Sequence, residues 1–206
     1  MRIPTTILTL ASTASCTLLP RNPPTNSTTP SSPSVAAAQY DGTCFYPIPD
    51  PNFNLNSYLG TWYQVAGTPF GPTAGARCVT ANYSLNANGT VRVLNSASAS
   101  PSTFSIEGTA TPAPPAYGLV GAFTVRFPGT PPVGQGSKCP GPNYIVQDYA
   151  VDWAIVQTQE WNTLYILSRV REPAEESIKA WVERAVALGS NATEVVRFDQ
   201  TGCEGV

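Results

Sequence analysis

Between Gly60 and Val170 the sequence runs as a series of short β-like segments, each ended by turn residues. No other feature limits the possible folds so strongly. The segments are 61–66, 78–85, 90–95, 104–111, 119–127, 144–149, 153–158 and 164–170. Several alternate with a period of two. Ala81 and Tyr83 share one face, while Cys78, Thr80 and Asn82 share the other; Val91 and Val93 oppose Arg92; Phe123, Val125 and Phe127 oppose Thr124 and Arg126. One apolar and one polar face is the pattern of a half-buried strand. Asn88-Gly89, between the second and third segments, is a strong hairpin signal because both residues tolerate positive φ. Eight strands joined in sequence order by short links suggest an antiparallel meander, which can close into a barrel or pack as a sandwich.

After the strands comes one amphipathic helix. Pro173 suits its first position, and Glu175 and Glu176 suit its first turn. Ile178, Trp181, Val182, Ala185 and Val186 then form a stripe at helical spacing, and Gly189 ends it. A short final strand over 194–198 follows.

Several function classes drop out on composition. Only 12% of residues are charged and the net charge is −2, so no basic stripe exists to meet nucleic acid. The chain has no histidine, which removes His-dependent catalysis, His-ligated haem and most zinc sites. No apolar run reaches the ~18–20 residues of a membrane-spanning helix. The sequence implies no cofactor and no metal, and leaves the oligomeric state open.

The first 38 residues differ from the rest. Residues 1–19 read as a signal peptide, with Arg2, a mildly apolar centre through Ile7, Leu8 and Leu10, and small residues before a cleavage point after Ser15. Residues 20–38 read as a disordered linker rich in Pro, Ser and Thr, and Ala36-Ala37-Ala38 offers a second processing site. Residues 39–206 then form the folded domain. Asn26, Asn82, Asn88 and Asn191 each head an Asn-x-Ser/Thr acceptor pattern. Together with the leader they point to secretion. Of five cysteines, Cys44, Cys78, Cys139 and Cys203 lie in the folded part, enough for two disulfides with three alternative pairings.

The order of eight strands, helix and short strand resembles the lipocalin family, and so do particular residues. Tyr58-Leu59-Gly60-Thr61-Trp62-Tyr63 resembles the Gly-x-Trp signature that opens the first lipocalin strand. Gln147-Asp148-Tyr149 leading to Trp153-Ala154 resembles the second signature, at the turn between strands six and seven. Ile166-Leu167-Ser168-Arg169 resembles the third. Arg77-Cys78, Ala81 to Leu85, Asn88-Gly89 and Ile106-Glu107-Gly108 are similar to the apolipoprotein D type, and the bacterial outer-membrane lipocalins are similar as well. The resemblance covers residues 44–203.

It implies an all-β fold: an eight-stranded antiparallel up-and-down barrel closed at one end, with the helix packed outside and the short last strand beyond it. Gly60, Trp62, Asp148 and Arg169 would be its structural signature, with Trp62 plugging the base and Arg169 stacked over the indole. The barrel interior would be a hollow cup for a small lipophile such as a fatty acid, sterol, retinoid or pigment. Ala81, Tyr83, Val91, Val93, Ile106, Phe123, Val125, Phe127, Tyr144, Val156 and Tyr165 would line it. Phe70, in the loop 68–76, would serve as part of a lid, and 131–142 as a second rim segment. The resemblance also implies a Cys78–Cys203 bridge and a bridge from Cys44. In the family that second partner lies on strand seven, near Gln159 here; Cys139, before strand six, stands in its place.

The rival reading is a lipocalin enzyme acting on a lipid or epoxide. The prostaglandin D synthase type uses a free thiol in the cup, and Cys78 points outward by parity. The violaxanthin de-epoxidase type needs an acid in the cup, whereas Asp148 reads as a turn residue.

Overall fold

The computed structural model describes residues 34–69, 73–99, 102–117, 120–129 and 139–203. The leader, Cys16, most of the linker, Asn26, Phe70 and most of the 131–142 rim therefore lie outside the described residues. Two short strands, β1 (Gln39–Tyr40) and β2 (Phe45–Tyr46), pair with each other near the start. A single helical turn, α1 (Leu55–Tyr58), precedes the barrel, with the Asn54 side chain accepting from the Ser57 amide at its start.

Eight strands follow: β3 (Gly60–Gly67), β4 (Arg77–Leu85), β5 (Val91–Ala99), β6 (Ser102–Pro112), β7 (Ala122–Arg126), β8 (Tyr144–Tyr149), β9 (Trp153–Gln157) and β10 (Leu164–Ser168). Each pairs antiparallel with the next, and β10 pairs back onto β3, so the sheet closes and loses its edges. The expected barrel is thus present. Strand β5 runs four residues further than the alternation suggested, because Ser96, Ala97, Ser98 and Ala99 carry little apolar contrast.

The helix α2 (Glu175–Ala187) packs Ile178 and Ala185, both buried, against Val65, Ala66, Ile155, Leu164 and Ile166 on the outside of the barrel. Trp181 stacks on Trp153 at 6.0 Å. The helix starts two residues later than expected. Pro173 precedes Ala174, which takes the N-cap position in extended backbone, the conformation a capping residue needs. Val186, placed on the apolar stripe, is exposed.

β11 (Val196–Arg197) pairs with Ala66 and Gly67 of β3, on the edge that β4 leaves at that end. The chain beyond it bridges the two strands. The Phe198 amide donates to Val65 O, the Cys78 amide donates to Asp199 O, and Gln200 Nε2 donates to Gln64 O and Val79 O, each at 2.9 Å. The Cys78–Cys203 disulfide fixes the segment, and a second disulfide joins Cys44 to Cys139.

Three expectations are corrected. Parity from Tyr83 does not reach Cys78, because a bulge lies between Arg77 and Thr80 and Cys78 itself has φ of 56°. Asp148 is not in a turn: it lies within β8, buried, and accepts from Arg184 Nε on α2 at 2.7 Å. Ala36 and Ala38 are held rather than loose. Ala36 O accepts from the buried Gln147 amide, the Ala38 amide donates to Leu188 O, and Val35 packs on the helix cluster.

Candidate ligand-binding site

The barrel floor begins with Gly60. Its φ of 96° suits glycine, and a β-carbon there would come within 3.4 Å of Arg169 Nη1. This lets the Trp62 indole sit fully buried in the barrel, donating from Nε1 to Tyr58 O at 2.8 Å. The Arg169 guanidinium lies 3.8 Å from the indole centroid. It also donates to four carbonyls of the incoming chain: Nη1 to Thr61 O at 2.7 Å, and Nη2 to Ser57 O, Tyr58 O and Leu59 O at 2.9, 3.1 and 2.7 Å. One side chain thus ties α1, its C-terminal link and β3 to the end of β10.

Above this floor, Tyr144 joins its hydroxyl to those of Tyr58 and Tyr83, at 2.7 and 2.8 Å. Burial pushes the Tyr58 and Tyr144 phenols well above their ordinary range, and pushes Tyr83 and Tyr165 up to about 12. All four are neutral donors and acceptors at physiological pH.

Ala81, Tyr83, Val91, Val93, Phe123, Val125 and Val156 belong to one buried cluster, and Phe127, Tyr144 and Tyr165 pack against it. Phe127 reaches the interior because Gly108 has no side chain: a β-carbon there would lie 2.5 Å from the Phe127 ring. Ile106 is on the same face but stands apart from the packed cluster, one row beyond Gly108, paired with Asn95. Phe53, Leu55, Tyr58, Leu59, Ala110, Val146, Tyr149, Ala154 and Leu167 also belong to the cluster or pack against it and were not anticipated.

The expected hollow cup needs correction at this level. The space lined by Leu55, Tyr58, Tyr83, Val91, Ala110, Phe123, Val125 and Tyr144 is about 10 Å³, roughly what a single water requires. The lower barrel is a filled core around this space, and a larger ligand there requires side chains to swing aside.

Two inward amides also escaped the sequence reading. Gln64 pairs with Leu167, and Asn95 pairs with Ala81 and Ile106, all on the interior face. Gln64 Nε2 and Asn95 Oδ1 are both buried without a hydrogen-bond partner among the described residues. Continuing the alternation from Val91 and Val93, and counting two residues on from Trp62, would have placed them.

A family model described as a lipocalin-like domain matches residues 53–200. Temperature-induced lipocalin-1 of Arabidopsis thaliana is 32% identical over 152 residues, covering 72% of this chain and 80% of the plant protein. Apolipoprotein D of Bos taurus is 43% identical over 72 residues; the match spans 34% of this chain and 38% of the bovine protein's length. Among solved structures, apocrustacyanin C2 is similar with a TM-score of 0.55 at 16% identity, over 80% of this chain and 94% of that one. Insecticyanin from the tobacco hornworm Manduca sexta is similar with a TM-score of 0.53 at 18% identity, over 75% and 83%. The structural matches carry the fold, and the sequence matches across the folded part carry the descent: the chain belongs to the lipocalin family.

Proposed function

We propose that the protein is a secreted carrier that takes one small hydrophobic molecule into its barrel. The observation that supports it best is the chemistry of the inner wall. The strand positions that share a face with Trp62, Ala81 and Val93 are apolar, aromatic or amide, and none among the described residues is charged. A lipophile entering there gains roughly 25 cal/mol per Å² of apolar surface removed from water. Two disulfides, a signal-like leader and acceptor patterns at Asn82, Asn88 and Asn191 support export. Binding is favoured over catalysis, since Cys78 is held in a disulfide and the inner strand positions offer no carboxylate among the described residues.

Titration with retinol, followed by ligand fluorescence, tests the reading. Ile106→Lys places an ammonium on the inner wall outside the packed cluster, so the barrel should fold while affinity falls about tenfold or more. Arg92→Ala, on the outer face where Arg92 pairs with Glu107, should leave binding unchanged. A wild type that takes up no retinol, or equal binding by both variants, would count against an interior site.

A further inference from the structure

We propose that Asn191 carries an N-linked glycan and that its first sugar, an N-acetylglucosamine, rests in an outer cleft walled by Tyr40 and Trp161. The proposal rests on the export part of the carrier reading and on nothing about the barrel interior.

The cleft lies where the β1–β2 hairpin, the link from β9 to β10 and the link after α2 meet. Tyr40, Thr43, Glu160, Trp161, Asn162 and Asn191 itself are among its lining residues. Its volume is about 460 Å³, within the roughly 300–1,000 Å³ of small-molecule sites. Its walls are tied together. The Phe45 amide donates to Gln159 O at 3.0 Å, and Cys44 is joined to Cys139 by a disulfide. Trp161 Nε1 donates to Gly189 O at 2.9 Å, and the Asn191 amide donates to Trp161 O at 3.4 Å. The asparagine is therefore held beside the tryptophan.

The surface of the cleft fits a sugar. Tyr40 and Trp161 stack with ring centroids 4.3 Å apart and planes 12° from parallel, yet they stay 42% and 37% exposed. A stacked pair left open inside a concave site is apolar surface that a partner can cover. A pyranose offers a face of C–H groups to lie against a ring and an edge of hydroxyls. Thr43, Glu160 and Asn162 supply donors and acceptors for those hydroxyls and for the acetamido group.

The acceptor atom is also unspent. Asn191 Oδ1 accepts from the Thr193 amide at 3.0 Å and from Thr193 Oγ1 at 2.8 Å, while Nδ2 makes no hydrogen bond among the described residues. Asn82, by contrast, donates from Nδ2 to Thr61 Oγ1 at 2.8 Å. Asn88 makes the same turn with Thr90, on the exposed tip of the β4–β5 hairpin. Attachment takes place on the chain during export. Nδ2 bonds to the anomeric carbon of a polyprenyl-diphosphate-linked oligosaccharide, the sugar–phosphate bond breaks, polyprenyl diphosphate leaves, and Nδ2 gives up one proton. Folding then brings Tyr40 and Trp161 to the sugar.

The test uses the full chain, expressed with its leader in eukaryotic cells that keep their glycans high-mannose. Glycopeptide mapping of the secreted protein should find Asn191 occupied. An endoglycosidase that cuts between the first two sugars should leave the melting temperature unchanged. Asn191→Gln, which the transferase does not accept, should melt about 2–4 °C lower. In a Trp161→Ala background the same substitution should shift melting by less than about 1 °C, and in a Tyr40→Ala background the shift should also shrink. A drop that persists in both backgrounds would come from the lost turn between Asn191 and Thr193, and overturns the proposal. So does an empty Asn191 beside an occupied Asn88, a melting temperature that ignores Asn191→Gln, or trimming that costs as much as Asn191→Gln. A chain kept inside the cells with every acceptor empty overturns the export reading itself. Retinol uptake by the barrel is independent of each of these results.

Discussion

Arg169→Ala removes the side chain that closes the barrel floor. A guanidinium over an indole contributes about 0.5–2 kcal/mol, more as the contact becomes drier. A hydrogen bond from a charged donor contributes about 1.5–3 kcal/mol when buried. Arg169 makes four such contacts, but Nη2 reaches three carbonyls with two protons, so at least one is shared. The side chain is also partly exposed, and water takes over some of the carbonyls once it is gone. The net loss should be ~3 kcal/mol, in the range of a disrupted core contact. In urea this moves the midpoint by about 1–2 M at an unchanged slope. Tryptophan emission should shift to the red as water reaches Trp62, which is fully buried in the wild type. Arg169→Lys should recover less than half of the loss, because an ammonium offers neither the plane nor the span of the guanidinium. An unfolding free energy for Arg169→Ala within about 0.5 kcal/mol of wild type, with unchanged emission, would refute the reasoning.

Raised phenol pKa values make the fold sensitive to alkali. The folded state keeps protons that the unfolded chain gives up above its ordinary value of 10, so this stability is intact below pH 10 and is lost as pH rises through about 12. Tyr83 and Tyr165 should each contribute about 3 kcal/mol to that loss. Phenolate absorbance should therefore appear together with unfolding; early ionisation of these tyrosines in a still-folded barrel would contradict it. Asn143→Leu tests the β7–β8 seam. There the Asn143 amide accepts from the Val125 amide at 2.7 Å and donates to Val125 O at 3.0 Å, standing in for a missing rung. The variant should lose about 2 kcal/mol in denaturant unfolding, and no loss would mean the seam holds without it.

How much was legible followed the physics of each segment. Period-two alternation marks Val91, Val93, Phe123 and Val125 as one face, and those residues do meet inside the barrel. Alternation alone leaves barrel and sandwich equal; closure of β10 on β3 is a long-range pairing that local pattern does not encode. The contact of Trp62 with Arg169 was reached only through the family resemblance, since an arginine at a strand end otherwise reads as solvated. Tyr58 was missed as an interior residue because α1 is a single turn, too short to show a helical stripe. Asn95 and Gln64 were missed because polar side chains on an apolar face break the pattern that finds the face. The bulge at Cys78 shifted parity locally, and no residue type announced it. The filled floor depends on how rings from α1, β4, β7 and β8 interlock, which sequence spacing does not report.

The central claim, that this barrel carries a small lipophile, is tested most directly by native mass spectrometry of the full chain secreted from eukaryotic cells. The protein should fly with one added small-molecule mass per chain. Organic extraction should remove that mass, leave the barrel folded, and yield a small lipophile in the extract. A chain that carries no adduct as purified and takes up none when offered neutral lipophiles would contradict the account.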